Sequence, residues 1–278
     1  MESRHATGLK STHPLLNLVY MMRTAGFAST GGHFERPILW LIAALGLLLP
    51  GCASNAGWQY TPGPERASST KAPVNLAVER FDDKRESENN RYFWVCVIPL
   101  VPYCTADYHR PDTANGFLTA GAYNFRPSED LAQATASEIR NAQMFRDVFV
   151  TDRKVDPGAP LMLRGTILNT DWNGTGYAYL LGPYHVLLYF FGLPIGTAHN
   201  TLTVRLELVQ TSNGQVLWTN DINQGYEKTE GLYYDFGTDF GYPEIFRDGL
   251  TAAIASLQTY IASQPPAFWT SLPNSPPS

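Results

Sequence analysis

The chain has 278 residues, of which 44% are hydrophobic and 16% charged, and its formal net charge is −5. That composition is globular, too apolar for a disordered chain, and the length allows one or two domains. The mild acidity supplies no basic surface to neutralise a phosphate backbone, which argues against nucleic acid as a partner. Any contact with lipid must therefore be mainly hydrophobic.

The first feature along the chain is an uncharged apolar run over residues 38–49, preceded by Arg23 and Arg36 and followed by Leu49-Pro50-Gly51-Cys52. The run is short of the roughly 20 residues that a transmembrane helix needs. Positive flank, apolar run and small-residue exit together read as an export signal over residues 1–51, with translation starting at Met21 or Met22. The exit resembles a bacterial lipobox, with Pro50 a less usual occupant of its position. The resemblance implies cleavage before Cys52, with a diacylglycerol and an N-acyl chain such as palmitate on that cysteine, and no other cofactor. Ala53 follows, where the enterobacterial sorting rule places Asp on proteins retained in the inner membrane. The implied address is the periplasmic face of the outer membrane. A buried apolar helix ending by chance in Gly-Cys is the competing reading.

Residues 52–72, rich in Gly, Pro, Ser and Ala, read as a flexible lipidated tether. A domain is expected over 73–263, followed by a Pro/Ser-rich tail over 264–278. Within the domain, alternating Val74, Leu76 and Val78 predict a strand over 73–81. Ser128 is the candidate N-cap of a helix ending near Phe145, with Leu131, Thr135, Ile139 and Ala142 on its inner face. Short strands are expected at 148–150 and 161–169. Alternation at Leu202, Val204, Leu206 and Leu208, a turn at Ser212-Asn213-Gly214, and a return over 216–222 predict a hairpin. A final amphipathic helix is expected from Pro243 to Ser263. This order gives an α+β fold, an α/β sandwich with a mixed sheet of about five strands packed by two helices and carrying two apolar insertions.

Three pieces carry a further resemblance: residues 75–83 (Asn-Leu-Ala-Val-Glu-Arg-Phe-Asp-Asp), the helix after Ser128 leading to Met144-Phe145-Arg146-Asp147-Val148-Phe149, and the hairpin around Asn213-Gly214. They resemble the periplasmic domain of envelope lipoproteins such as the curli-secretion lipoprotein, the exopolysaccharide-export lipoprotein PelC and the activator LpoB. That resemblance implies a non-enzymatic role in envelope assembly or secretion.

The two insertions are residues 92–104 and 177–195, the second without any charged residue. Loops are normally polar, so both need a reason. Gly182-Pro183 and Gly192-Leu193-Pro194 interrupt the second, leaving no piece long enough to span a bilayer as a helix. Three readings stay open: a secondary core, an apolar surface meeting membrane or partner, or a ligand pocket. On the second reading the contact residues are Trp94, Ile98, Leu100, Tyr184, Leu187, Leu188, Tyr189, Phe190 and Phe191, with Tyr and Trp suited to an interface. Cys96 and Cys104 are a close pair in an oxidising compartment, which favours a disulfide over a metal site.

Catalytic and metal-ligating residues are expected to be absent. No nucleophile elbow, zinc-binding His pair or phosphate loop is found in the sequence, and His109, His185 and His199 are isolated. Asp82-Asp83 beside Lys84-Arg85 reads as a solvated turn rather than a cation site. The leading expectation is a non-catalytic, membrane-anchored lipoprotein acting through protein and membrane contacts, with homo-oligomerisation open. A carrier or sensor of a small amphiphile, and an unrecognised hydrolase, are the alternatives.

Overall fold

The computed structural model describes residues 58–65, 68, 70–86, 89–91, 93–113, 125–152, 158–235 and 240–272. The export segment, Cys52 and Tyr92 lie outside the described residues.

A mixed sheet organises the domain. Its strands are β1 (Leu76–Glu79), β2 (Asp82–Asp83), β3 (Asn89–Arg91), β4 (Tyr103–Tyr108), β5 (Val148–Thr151), β6 (Leu161–Asn169), β7 (Trp172–Tyr177), β8 (Pro194–Gln210) and β9 (Val216–Gly231). They run β3-β4-β7-β8-β6-β1-β5, with β2 beside β6 and β9 along the other edge of β8. Only the pairs β1–β5, β1–β6 and β2–β6 are parallel. The α+β class expected from the sequence is the one found, with nine strands among the described residues rather than about five.

β6 and β7 are nearly one strand. Both lie antiparallel along the same edge of β8, from Leu161↔Gln210 through Asn169↔Thr203 to Gly176↔Gly196. β9 follows the opposite edge of β8 from Val216 to Gly231. A three-stranded ribbon results. At about 3.3 Å per residue, the 17 residues of β8 span roughly 55 Å. One half of the ribbon belongs to the core and the other projects as an arm joined by β4 and β3.

Two long helices cover one face, α1 (Pro127–Asn141) and α3 (Tyr242–Ser263), and two short ones are α2 (His185–Tyr189) and α4 (Pro266–Ser271). Leu131, Ile139, Phe246, Leu250 and Leu257 from the long helices meet Leu76, Val78, Leu163, Ile167, Leu202 and Leu206 of the sheet. β8 alternates between buried and accessible side chains, as one covered face requires. The other face carries buried Ala77, Met162 and Val209 at the core end but is polar along the arm, where Thr105, Thr175, Thr197 and Thr229 form a single cross-strand row.

Several boundaries differ from expectation. The strand expected over 73–81 is shorter, β1 at Leu76–Glu79, and β2 follows just past its expected end. α1 begins at Pro127 and ends at Asn141, and Ser128 is not its cap. Instead the Asp130 carboxylate accepts the Arg126 N–H at 2.7 Å. The expected Pro/Ser tail contains α4, whose Trp269, with Leu272 beyond it, is buried in the main core. The expected flexible tether is also docked from Trp58 onward. Trp58 stacks on Phe125 at 4.9 Å, and Tyr60 donates its hydroxyl hydrogen to Glu138 at 2.7 Å.

Candidate membrane-contact site

The arm is anchored at its base. The Tyr242 hydroxyl donates to the carbonyls of Thr170 and Asp171, at 2.8 and 3.1 Å, where β6 passes into β7. Phe240 lies between Tyr242 and Trp172, and Trp172 packs on Tyr108 of β4. Gly174 leaves room for this ring, since a Cβ there would fall 2.1 Å from the Trp172 indole.

An ion network braces the same junction. The Arg85 guanidinium, 1% exposed, donates to Asp83, to Asp112 at 2.6 Å and to the Thr170 hydroxyl at 2.7 Å. Burial opposes the Arg85 charge, but the hydrogen bonds to Asp83 and Asp112 outweigh it and raise its pKa. The same Arg85 bond, working against burial, holds the Asp83 carboxyl below its usual range. The expected solvated turn is therefore half right. Asp82 is exposed beside Lys84, whereas Asp83 and Arg85 are structural.

At its far end the arm carries both apolar insertions. A 3-10 turn over Phe93–Val97 and a second over Gly182–Tyr184 lie against each other. Pro99 bridges to Leu181, the Leu100 N–H donates to the Leu180 carbonyl at 3.0 Å, and the Ala178 N–H donates to Pro102 at 2.8 Å. Cys96 and Cys104 are joined in a disulfide that, with Ala178, forms a small core of its own. Leu100, Tyr179 and Leu180 adopt positive φ, which bulky residues avoid at a cost of about 1–2 kcal/mol each. Gly182, also at positive φ, faces the Val97 carbonyl, 3.0 Å from where a Cβ would sit. The insertions fold into one strained, interlocked tip.

That tip is apolar and open. Phe191 and Leu100 are 80% exposed, Tyr184 69% and Trp94 64%. Leu187, Phe190 and Ile98 are exposed as well, and α2 has no buried residue. Among the residues expected to make contact, Leu188 and Tyr189 are the exceptions. Both are half-buried, and the Tyr189 hydroxyl donates to the Tyr177 carbonyl at 2.8 Å. Burial, with Tyr179 beside it, pushes the Tyr189 phenol up to about 12. Val97, Tyr103, Leu180, Leu181 and Val186, which lie within the two insertions but were not singled out as contacts, are exposed too, and Tyr233, outside both insertions, was not anticipated. Tyr233 arrives from the turn after β9 and donates to the Phe190 carbonyl at 2.9 Å. Its only sequence signal was the pair Tyr233-Tyr234 after a long polar strand.

A belt of phenols lies where the tip meets the arm. Tyr177, Tyr179 and Tyr189 approach in sequence at 6.1 and 6.5 Å, and Tyr103 pairs with Tyr177 across β4 and β7. Aliphatic and phenyl groups lie beyond the belt, and threonines lie behind it. Rings with one apolar body and one polar tip suit a boundary between apolar and wet surroundings.

Among the described residues of the insertions, Cys96, Cys104 and Ala178, with Val95 packed against them, fit the secondary-core reading. Two grooves elsewhere take no residue from either insertion. One, of about 540 Å³, is lined by charged groups including Glu79, Arg80, Asp82, Lys84 and Arg164. The other, of about 990 Å³, lies between residues 61–70, α1 and α3. His185 reaches the Gly182 carbonyl within its own turn. His109 meets Asp171 at 2.6 Å, and among the described residues no three His, Cys, Asp or Glu side chains converge as metal ligands. No described helix is long and apolar enough to cross a membrane.

No family model and no curated protein matches the chain. Among solved structures it is similar to a Xanthomonas campestris protein of the DUF330 family, at 8% identity and a TM-score of 0.42, over 73% of this chain and 95% of that one. It is also similar to PelC of Paraburkholderia phytofirmans, described as a dodecamer, at 15% identity and a TM-score of 0.33, over 72% and 96%. A Neisseria meningitidis lipoprotein is similar at 17% identity and a TM-score of 0.21, over 66% and 99%. At these scores the overlays assign neither family nor function.

Proposed function

We propose that the chain is a non-catalytic, lipid-anchored envelope protein whose apolar tip rests in the membrane that holds its lipid, on the periplasmic face of the outer membrane. The observation that carries this reading is the exposure of Trp94, Leu100, Leu187, Phe190 and Phe191 on one strained end of the arm. Full burial of each such side chain is worth roughly 2 kcal/mol, so several together give real affinity without a basic patch. A lipid chain alone binds only marginally, and a second attachment converts this to stable docking. Held in this way, the domain presents its polar sheet face and helices to the periplasm for partners in assembly or secretion.

Lipid-free protein starting at Ala53 tests the reading by flotation with vesicles of neutral phospholipid. Serine at Leu187, Phe190 and Phe191 together should lower association at least about tenfold, since 1.4 kcal/mol is already a factor of ten. The melting temperature should stay within about 2 °C of wild type, because surface changes fall within about 0.5 kcal/mol. Unaltered association, or a variant that unfolds, contradicts the proposal.

A further inference from the structure

Neither insertion contains an acidic or basic residue, so the first charges that a leaflet would meet are those on the strands behind the tip. The cross-strand rows give their order. Counted from the Tyr103–Tyr177 pair of the phenol belt, the first row runs through Gly176 and Gly196 to Glu230. The third holds Arg91, Ala106, Gly174, Ala198 and Lys228. The fourth is Asp107, Asn173, His199 and Glu227. At about 3.3 Å per residue these rows lie roughly 3, 10 and 13 Å behind the belt. Lys228 is bonded to Asp235, in the turn after β9, at 2.8 Å.

These rows and that turn hold four carboxylates against two cations, a net charge of −2 (2 − 4) with histidine neutral. A surface suited to anionic lipid carries the opposite balance, since each Lys or Arg near such a leaflet gains from its negative potential. Carboxylates in the same place are repelled. In a zwitterionic headgroup the ammonium is the outer of the two charges, and so it faces the carboxylates behind the belt. Both the uncharged tip and the sign of the rows behind it match a leaflet of that kind.

We propose that this acidic collar makes the tip selective for leaflets without net charge, with zwitterionic phospholipid as the surface it fits. This rests on the membrane role proposed for the tip. The collar also fixes the sign of the salt dependence. Repulsion from an anionic leaflet is screened by salt, so added salt strengthens association with it, the reverse of a basic peripheral protein. Association with a neutral leaflet has no such repulsion to lose.

The main core lies between Trp58 and Leu272, so lipid-free protein starting at Ala53 retains it. Its flotation is compared on vesicles of zwitterionic phospholipid and on vesicles in which one lipid in three is phosphatidylglycerol. At 10 mM salt, where the Debye length is about 30 Å, the anionic vesicles should bind about tenfold more weakly. At 0.5 M salt the two should agree within about twofold. Asp107→Asn with Glu227→Gln brings the collar to zero (2 − 2) and should restore low-salt binding to anionic vesicles to within about twofold of neutral ones. Asp147→Asn changes a carboxylate at the opposite end of the sheet, before the row of Val148, Leu76, Leu161 and Gln210, and keeps the acceptor for the Val148 N–H. It should leave the tenfold difference in place. Low-salt binding to anionic vesicles as tight as to neutral ones overturns the collar and leaves the membrane role of the tip standing. A collar variant without effect, or equal relief by Asp147→Asn, does the same. Binding to neither vesicle overturns both.

Discussion

At the scale of single residues, the least expected finding is Arg85. In the sequence it follows two aspartates and a lysine, which reads as a charged, solvated turn. In the fold it is buried and tied to Asp83, Asp112 and Thr170. Asp112 lies 27 residues further on and Thr170 lies 85 further on, so no local pattern could reveal the pairing. Removing one member of a buried ion network leaves the others uncompensated, so Arg85→Ala should destabilise by about 3 kcal/mol, read by denaturant unfolding. The sign of the pH dependence follows from Asp83, whose folded pKa lies below the unfolded value of about 3.9. Its contribution is complete above that unfolded value and is lost as pH falls through the lower, folded one. Wild type should therefore lose stability in acid below about pH 4, and Arg85→Met should flatten that part of the profile. Parallel profiles for the two proteins would show that the network carries no such linkage.

At the scale of elements, legibility followed side-chain size. The half of β8 with Leu202, Val204, Leu206 and Leu208 was plain, because large apolar residues alternate with polar ones. Its other half, and all of β7, were not. There, beyond Trp172, the inner face is built from Gly174, Gly176, Gly196 and Ala198, which leave no hydrophobic period to detect. The tether misled for a related reason. Average composition hid Trp58 and Tyr60 among Pro, Gly and Ser, yet two aromatic rings suffice to dock a segment. The tip was visible as an anomaly but not as a surface, since an unbroken apolar run carries no period that separates buried from exposed. The Cys96–Cys104 pair was legible from spacing and compartment together. Its small core is separate from the main one, so Cys96→Ala with Cys104→Ala should loosen the tip more than the domain. The expected loss is on the order of 2 kcal/mol. It should show as faster amide exchange over residues 93–101 with little change over β1, β6 and α1. Uniform acceleration across the domain would mean that the tip and core unfold as one unit.

At the scale of the whole molecule, the domain is an α/β sandwich whose ribbon outgrows its core. The long helices cover only part of the ribbon, and the arm ends in apolar residues held in a costly backbone conformation. Such strain persists only where the surroundings enforce it, here through the disulfide and the interlocked turns. Interlocking also explains how two insertions that begin 85 residues apart (177 − 92) make one surface. The central claim is that this surface meets lipid. Hydrogen exchange of the lipid-free protein, with and without vesicles of neutral phospholipid, tests that claim most directly. Protection on vesicle binding should be confined to residues 93–101 and 180–192 and should persist at high salt, because residues 177–195 carry no charge to be screened. Protection centred on α3 or on the outer edge of β9, or none at the tip, would contradict it.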